Sequence, residues 1–348
     1  MKITQKLWGC DNGREIYLFE LDNEGGMRAV VSNYGGVLQS LYVKDGQGNE
    51  LDTVLGYDAF EEYKNSETFF GAMVGPVADR LAGGSCELGG RRVQLPLNAG
   101  PDCMHSGSGG FHAHVWQWEI LEDGIAFFDE LHEAETCFPG PLRVRLSYRI
   151  TAQRTLRLEY SAKSEIETAV SFTNHSYFNL DGGSGHCGEQ IIQVFASGYA
   201  ETERDVEPIC TGRVIPVQGT PYDLRSGRVL GDVLQEKHFR EIRTGGGIDH
   251  FFLVDGQGMR EHVRLESKKS GLVLNCRSDA PGVLVYTANG LENEPGKQGS
   301  VYGCNWAVCM ETERFPNGIN MPEHRHGVIL NPGESFESAT EFVFSVGE

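Results

Sequence analysis

The chain is short of positive charge, of paired cysteines and of long apolar runs. Lys and Arg number 30 against 49 Asp and Glu, and the formal net charge of −19 would repel a phosphate backbone. Nucleic acid is therefore not an expected partner. No apolar run is long enough to cross a bilayer. Met1 to Trp8 lacks the apolar core of a secretory signal, so neither membrane insertion nor export is expected. The nine cysteines include no CxxC pair and read as reduced thiols of a cytoplasmic protein. On that reading the Asn174-His175-Ser176 sequon is accidental. The common catalytic signatures are missing as well. There is no GxxxxGK[ST], and Gly182-Gly183 and Gly245-Gly246-Gly247 lack the strand–helix setting of a dinucleotide site. There is no GxSxG elbow, and Cys103, two residues before His105, reads as a small buried thiol. No HExxH or cysteine cluster joins the close pairs His112/His114 and His324/His326. On a strand each pair would share a face, but solvated loop histidines are the default. No metal and no cofactor are expected.

What the chain has is β-type sequence cut by turns. It holds 348 residues, 39 % hydrophobic and 23 % charged, with 45 glycines, which suits a soluble protein with a sizeable core. The clearest element is a hairpin. Val144, Leu146, Tyr148 and Ile150 alternate with Arg143, Arg145, Ser147 and Arg149. After Thr151 to Arg154, Leu156, Leu158, Tyr160 and Ala162 alternate with Arg157, Glu159, Ser161 and Lys163. Opposite charges can pair across its outer face. Further strands are expected at 15–21, 26–32, 37–43, 115–121, 190–194, 250–254, 263–267, 271–276, 283–287, 306–312 and 341–346. Helix is scarce: one turn at Asp58 to Tyr63 with Asp58 as N-cap, and a short helix at Gly231 to Phe239. Many short strands between turns imply an all-β sandwich or barrel. With no linker, charge shift or repeat, residues 1–348 read as a single domain. No pattern bears on oligomeric state.

Residues 170–180, Val-Ser-Phe-Thr-Asn-His-Ser-Tyr-Phe-Asn-Leu, carry the most chemistry. At period two, Thr173, His175, Tyr177 and Asn179 share a face. Such a face either meets water or lines a groove for a hydroxyl-rich ligand, where His175 can move protons near neutral pH. Other polar groups stand in marked settings: Asp79-Arg80 before a Gly83-Gly84 turn, His105, Asp249 before an apolar strand, and Glu311 in Cys309-Met310-Glu311-Thr312. Arg80 can simply pair with a carboxylate and Asp249 can cap a turn. A carboxylate entering an apolar strand is either paired or functional.

In these stretches the sequence resembles the galactose mutarotase, or aldose 1-epimerase, family. Val77 to Gly84, Leu95 to His105, Thr173 to Leu180, Asp249-His250 and Met310-Glu311-Thr312 follow the family pattern in order along nearly the whole chain. The resemblance implies a large antiparallel β-sandwich of the mutarotase supersandwich type, with few short helices. It also implies a cofactor-free isomerase that interconverts the α and β anomers of an aldose such as D-galactose or D-glucose. By motif position it implies Glu311 as general base and His175 as general acid. Asp79, Arg80, His105, Tyr177 and Asp249 would contact the sugar. Four positions depart from the pattern. Asp79 stands for the usual Asn, Pro76 for Arg, Ser106 for Gly and Glu313 for Gln. Glu313 would share a strand face with Glu311 and either raise its proton affinity or compete for its role. Two alternatives remain. A sugar-phosphate epimerase would need more cations than this site offers. A non-catalytic sugar-binding protein would have lost the acid or the base.

Overall fold

In the computed structural model, which describes residues 1–204 and 207–347, strands dominate and every helix is short. Three antiparallel sheets carry the architecture. The first five strands, Lys2–Asp11, Arg14–Asp22, Met27–Ser32, Leu38–Lys44 and Glu50–Asp52, pair in chain order. A nine-stranded sheet runs Gln117–Ile120, Gly124–Leu131, Leu142–Ala152, Thr155–Ser164, Ser335–Val346, Leu272–Ser278, Arg260–Glu266, Ile191–Val194 and Arg228–Val229. A six-stranded sheet runs Tyr177–Phe178, Val308–Glu313, Gly282–Tyr286, Asp249–Val254, Ala196–Glu203 and Ile209–Pro216. Among the described residues no helix is long and apolar enough to cross a membrane.

The two large sheets face each other across one apolar layer. Leu156, Leu158, Phe342 and Leu274 of the nine-stranded sheet share a buried cluster with Phe178, Met310, Val285 and Phe252 of the six-stranded one. Phe178 and Phe342 touch across the layer with ring centroids 4.7 Å apart. The alternation that puts these residues inward sends Tyr177, Cys309, Glu311 and Glu313 to the far face of the six-stranded sheet. Register then lines up that far face. Tyr177 is opposite Cys309, Cys309 opposite Tyr286, and Tyr286 opposite Asp249. One row further along, Glu311 is opposite Leu284, and beyond it Glu313 is opposite Gly282. Loops cover this face, so its acids are not in open water.

The hairpin forms as its alternation dictates, with Leu146 opposite Tyr160 and Leu156 opposite Ile150. Opposite charges do pair across its outer face, Arg149 donating to Glu159 of the facing strand at 3.0 Å. Directly opposite positions hold like charges, Arg149 facing Arg157 and Arg143 facing Lys163. The other arginines reach sideways: Arg143 to Glu130, Arg145 to Glu119, and Arg157 to Glu159 and Glu341. The helix near residue 60 spans Phe60–Asn65, and Glu62, not Asp58, accepts the Ala59 N–H. Asp58 accepts the Gln298 N–H instead. The expected 231–239 helix is Leu230–Leu234, followed by a separate helix Arg240–Gly245. Lys2–Asp11 gave no strand signal because it is a largely exposed edge strand without apolar alternation. Neither histidine pair lies on a strand. His112 and His326 sit in 3-10 turns, His114 bonds Asp129, and His324 stacks on Phe315.

Candidate active site

Residues 170–180 are buried throughout and do not form one strand. Thr173–Asn174 pairs with Met73–Val74, and Tyr177–Phe178 pairs with Val308–Cys309. Between them the His175 N–H donates to Ala72 O, and the Gly71 N–H donates to His175 O. The segment thus passes from the 69–78 loop to the six-stranded sheet, and His175 sits at the crossing. Only two of the four polar residues on the expected face reach a cavity. Thr173 Oγ is buried without a partner, and Asn179 donates to Gly185 O and Trp306 O.

That cavity has a volume of about 170 Å³ and is lined by Asp79, Arg80, His105, His175, Tyr177, Asp249 and Glu311. A void of roughly 150 Å³ takes one six-membered ring, so the space suits a single pyranose. All seven candidate residues named from the sequence come together here. Five others join them: Glu67, Phe69, Met104, Leu284 and Tyr286. Met104 lies within the Leu95-to-His105 stretch, and the other four had no motif to announce them. Leu284 and Tyr286 arrive through register with Glu311 and Cys309.

Each polar side chain is held by its neighbours. The His175 ring lies between two aromatic faces, Tyr177 at 5.0 Å and 17° and Phe69 at 6.0 Å and 21°. His175 Nε2 is 3.5 Å from Glu311 Oε1. The 77–79 and 105–106 turns clamp each other. Ser106 Oγ donates to Val77 O and accepts the Val77 N–H. The His105 N–H donates to Asp79 O, and His105 Nδ1 accepts the Asp79 N–H at 3.1 Å. Asp79, His105 and Ser106 all hold positive φ, from 52° to 66°, a region where L-residues persist only under such constraint. Arg80 donates through Nε and Nη2 to Glu207, while its Nη1 is 3.7 Å from Asp79 and 4.0 Å from Asp249.

Burial sets the proton affinities. It raises Glu311 well above the usual carboxylate range, with Asp79 and Asp249 adding to the effect. It raises Asp249 and takes Asp79 up to about 6, Arg80 partly offsetting both. Burial also lowers His175 to about 4 and His105 well below its ordinary value. Glu313 lies behind the cavity wall, 2 % exposed, with neither carboxyl oxygen partnered. Burial and then Asp79 and Glu311 raise it strongly. Cys103 is the small buried thiol expected, pushed by burial to about 12.

The candidate ligand atoms of His105, His175 and Glu311 lie within 4.8 Å of one another, a donor set that metals also use. The hydrogen bonding does not suit a metal. A metal-binding imidazole donates its second N–H to a carbonyl or carboxylate. His105 Nδ1 accepts a backbone N–H instead, so the neutral ring carries its proton on Nε2 and offers a donor. His175 Nδ1 is buried with no partner.

A sequence model of aldose 1-epimerases matches residues 17–343. The galactose mutarotase of Sus scrofa is 36 % identical over 99 % of both chains, and that of Homo sapiens 34 % over 99 % of both. A solved aldose epimerase homologue from C. elegans superposes with a TM-score of 0.87, covering 95 % of this chain and 99 % of its own at 24 % identity. A match of that extent, in sequence and in fold, makes this chain a member of the aldose 1-epimerase family.

Proposed function

We propose that the protein interconverts the α and β anomers of a free aldose, D-galactose or D-glucose being the leading candidates, with Glu311 as base and His175 as acid. One observation carries the role assignment: a carboxylate and an imidazole stand 3.5 Å apart at the end of a cavity the size of one sugar ring. The anomeric hydroxyl and the ring oxygen are bonded to the same carbon, so the groups that serve them must be close neighbours. Glu311 takes the proton of the C1 hydroxyl. The C1–O5 bond breaks as the C1 carbonyl forms, and His175 delivers a proton to O5. After rotation about C1–C2, the hydroxyl on C5 attacks the other face of the carbonyl. His175 then recovers its proton and Glu311 returns its own.

The opposed pKa shifts bear on this cycle. With Glu311 shifted up and His175 down, burial favours the arrangement in which the proton of the pair sits on Glu311. That is the state in which the pair stands after ring opening. Opening itself starts from a carboxylate and an imidazolium, which hold the same number of protons. Hydrogen bonds from the sugar to the carboxylate favour that charged arrangement. Activity should fall in acid as the pair gains a second proton, with His175 near 4, and fall again in base as the pair loses its only one.

His105 donates from Nε2, Arg80 donates from Nη1, and Asp79 and Asp249 accept, which together match the alternating hydroxyls of a sugar. Tyr177 and Phe69 fix the imidazole plane. One core cluster drawing on residues from Phe19 to Phe344 supports reading the chain as a single domain. The cytoplasm is the compartment that nine unpaired cysteines suit. The test is polarimetry of freshly dissolved α-D-galactose and α-D-glucose, with and without protein, before and after exhaustive chelation. Acceleration that survives chelation is expected. No acceleration on any aldose would sink the proposal.

A further inference from the structure

We propose that Glu207 is a positioning residue for Arg80, holding the guanidinium so that Nη1 is presented to the sugar. The inference rests on the sugar-binding reading above and adds a residue that no motif marks. Glu207 does not line the sugar cavity. It lines a neighbouring cavity of about 240 Å³ that shares Arg80 and Asp249 with it, so Arg80 forms the partition between the two. From that far side Glu207 Oε2 accepts from Nε at 3.3 Å and Nη2 at 3.2 Å. Nη1 is left 3.7 Å from Asp79 and 4.0 Å from Asp249, beyond hydrogen-bond length of either. Neither aspartate then spends an acceptor on Nη1, which stays available to the sugar cavity that Arg80 lines.

The approach of Glu207 is itself prepared. Gly100 adopts φ +59°, and a Cβ there would lie 3.2 Å from Glu207 Cγ. Arg204, shortly before Glu207, donates to Asp102 at 2.6 Å, and Asp102 also accepts the Gly83 N–H. Arg204 is thereby tied through Asp102 to the loop that carries Arg80 to Gly83. Three carboxylates compete for one guanidinium, and Glu207 is the one that keeps it off the other two. Without Glu207, the carboxylates left within 4.0 Å of Arg80 among the described residues are Asp79 and Asp249. A shift of under 1 Å toward them would convert both near contacts into hydrogen bonds. That would remove one donor and two acceptors from the sugar at once.

Glu207→Ala should therefore raise KM about tenfold and leave kcat within about twofold, measured as anomer exchange by NMR on D-galactose. Glu207→Gln keeps the shape and an acceptor for Nε and Nη2, and should hold KM within about threefold of wild type. Both variants should keep the wild-type circular dichroism, since Glu207 is one-third exposed. A KM for Glu207→Ala within twofold of wild type would overturn the inference and leave an ordinary surface ion pair. So would a loss confined to kcat, or a Gln variant as impaired as Ala. Wild-type protein that exchanges no anomers would overturn the sugar reading itself, and that control is read before any variant.

Discussion

The two large sheets each carry a face rich in ionisable groups, and the two faces behave in opposite ways. On the outside of the nine-stranded sheet, Arg145, Arg149 and Arg157 interleave with Glu119, Glu159 and Glu341 in water-accessible pairs. On the far side of the six-stranded sheet, Asp249, Glu311 and Glu313 lie under loops, with Arg80 as the nearby cation. Solvated pairs of the first kind contribute about 0–1 kcal/mol each. Buried acids of the second kind lose hydration, hold their protons more tightly and cost stability. The same residue types thus stand in solvated pairs on one sheet and buried with raised proton affinity on the other. The difference lies in what covers them.

The largest break in this comparison is Glu311→Gln. The amide keeps the shape and cannot take a proton, so exchange should fall by ~10²–10⁴ with the fold intact. NMR exchange on a variant with wild-type circular dichroism measures it. Activity within about threefold of wild type would move the base to Glu313. His175→Ala follows, with a loss of about 10² in kcat and little change in KM, because proton donation belongs to the transition state. A raised KM at unchanged kcat would reduce His175 to a binding group.

The buried acids should then show their cost in stability. Raised acids bind protons in the folded state that the unfolded chain releases, so their penalty grows as pH rises. For Asp79 it develops between the ordinary aspartate value near 3.8 and about 6 and is constant above. Asp79→Asn should therefore stabilise at pH 7, on the order of 2–3 kcal/mol at most, and have little effect below pH 4. Denaturant melts at both pH values decide it. The same variant should shift the galactose-to-glucose ratio of kcat/KM about tenfold if Asp79 contacts the sugar, whereas equal losses on both sugars would assign Asp79 to Arg80 alone. Glu313→Gln should stabilise increasingly with pH and keep activity, since burial already favours its neutral carboxyl. A variant that loses activity would make Glu313 part of the reaction. The smallest effect belongs to the other face: Arg145→Ala should cost about 1 kcal/mol or less, fade further in salt, and leave exchange rates alone.

Much of this division was legible in one dimension. The alternation in Leu142–Ala152 and Thr155–Ser164 marks a half-buried hairpin, and the structure has it. Glu311 and Glu313 stand two apart on a strand, so their sharing a face follows from period two. The motif residues, from Asp79 to Glu311, all reach one cavity. Other features were illegible for stated reasons. Period two across 170–180 put Thr173 and Asn179 with His175, but the segment changes partner at His175 and the face does not persist. Phe69 and Glu207 sit in loops, where no periodicity speaks. Leu284 and Tyr286 looked like ordinary core.

The sequence by itself determined the local alternation, the turns and the chemical identity of each group. It determined that carboxylates 311 and 313 lie on one face, and that this face belongs to a strand with an apolar opposite side. Only the tertiary structure decided which groups lose their water and which can meet. Those outcomes depend on register between strands far apart in the chain, such as Tyr177 beside Cys309 and Asp249 beside Tyr286. They depend equally on which loops cover the face, because proton affinity answers to the water removed and the charges brought near. Neither quantity is written in the spacing of residues along the chain.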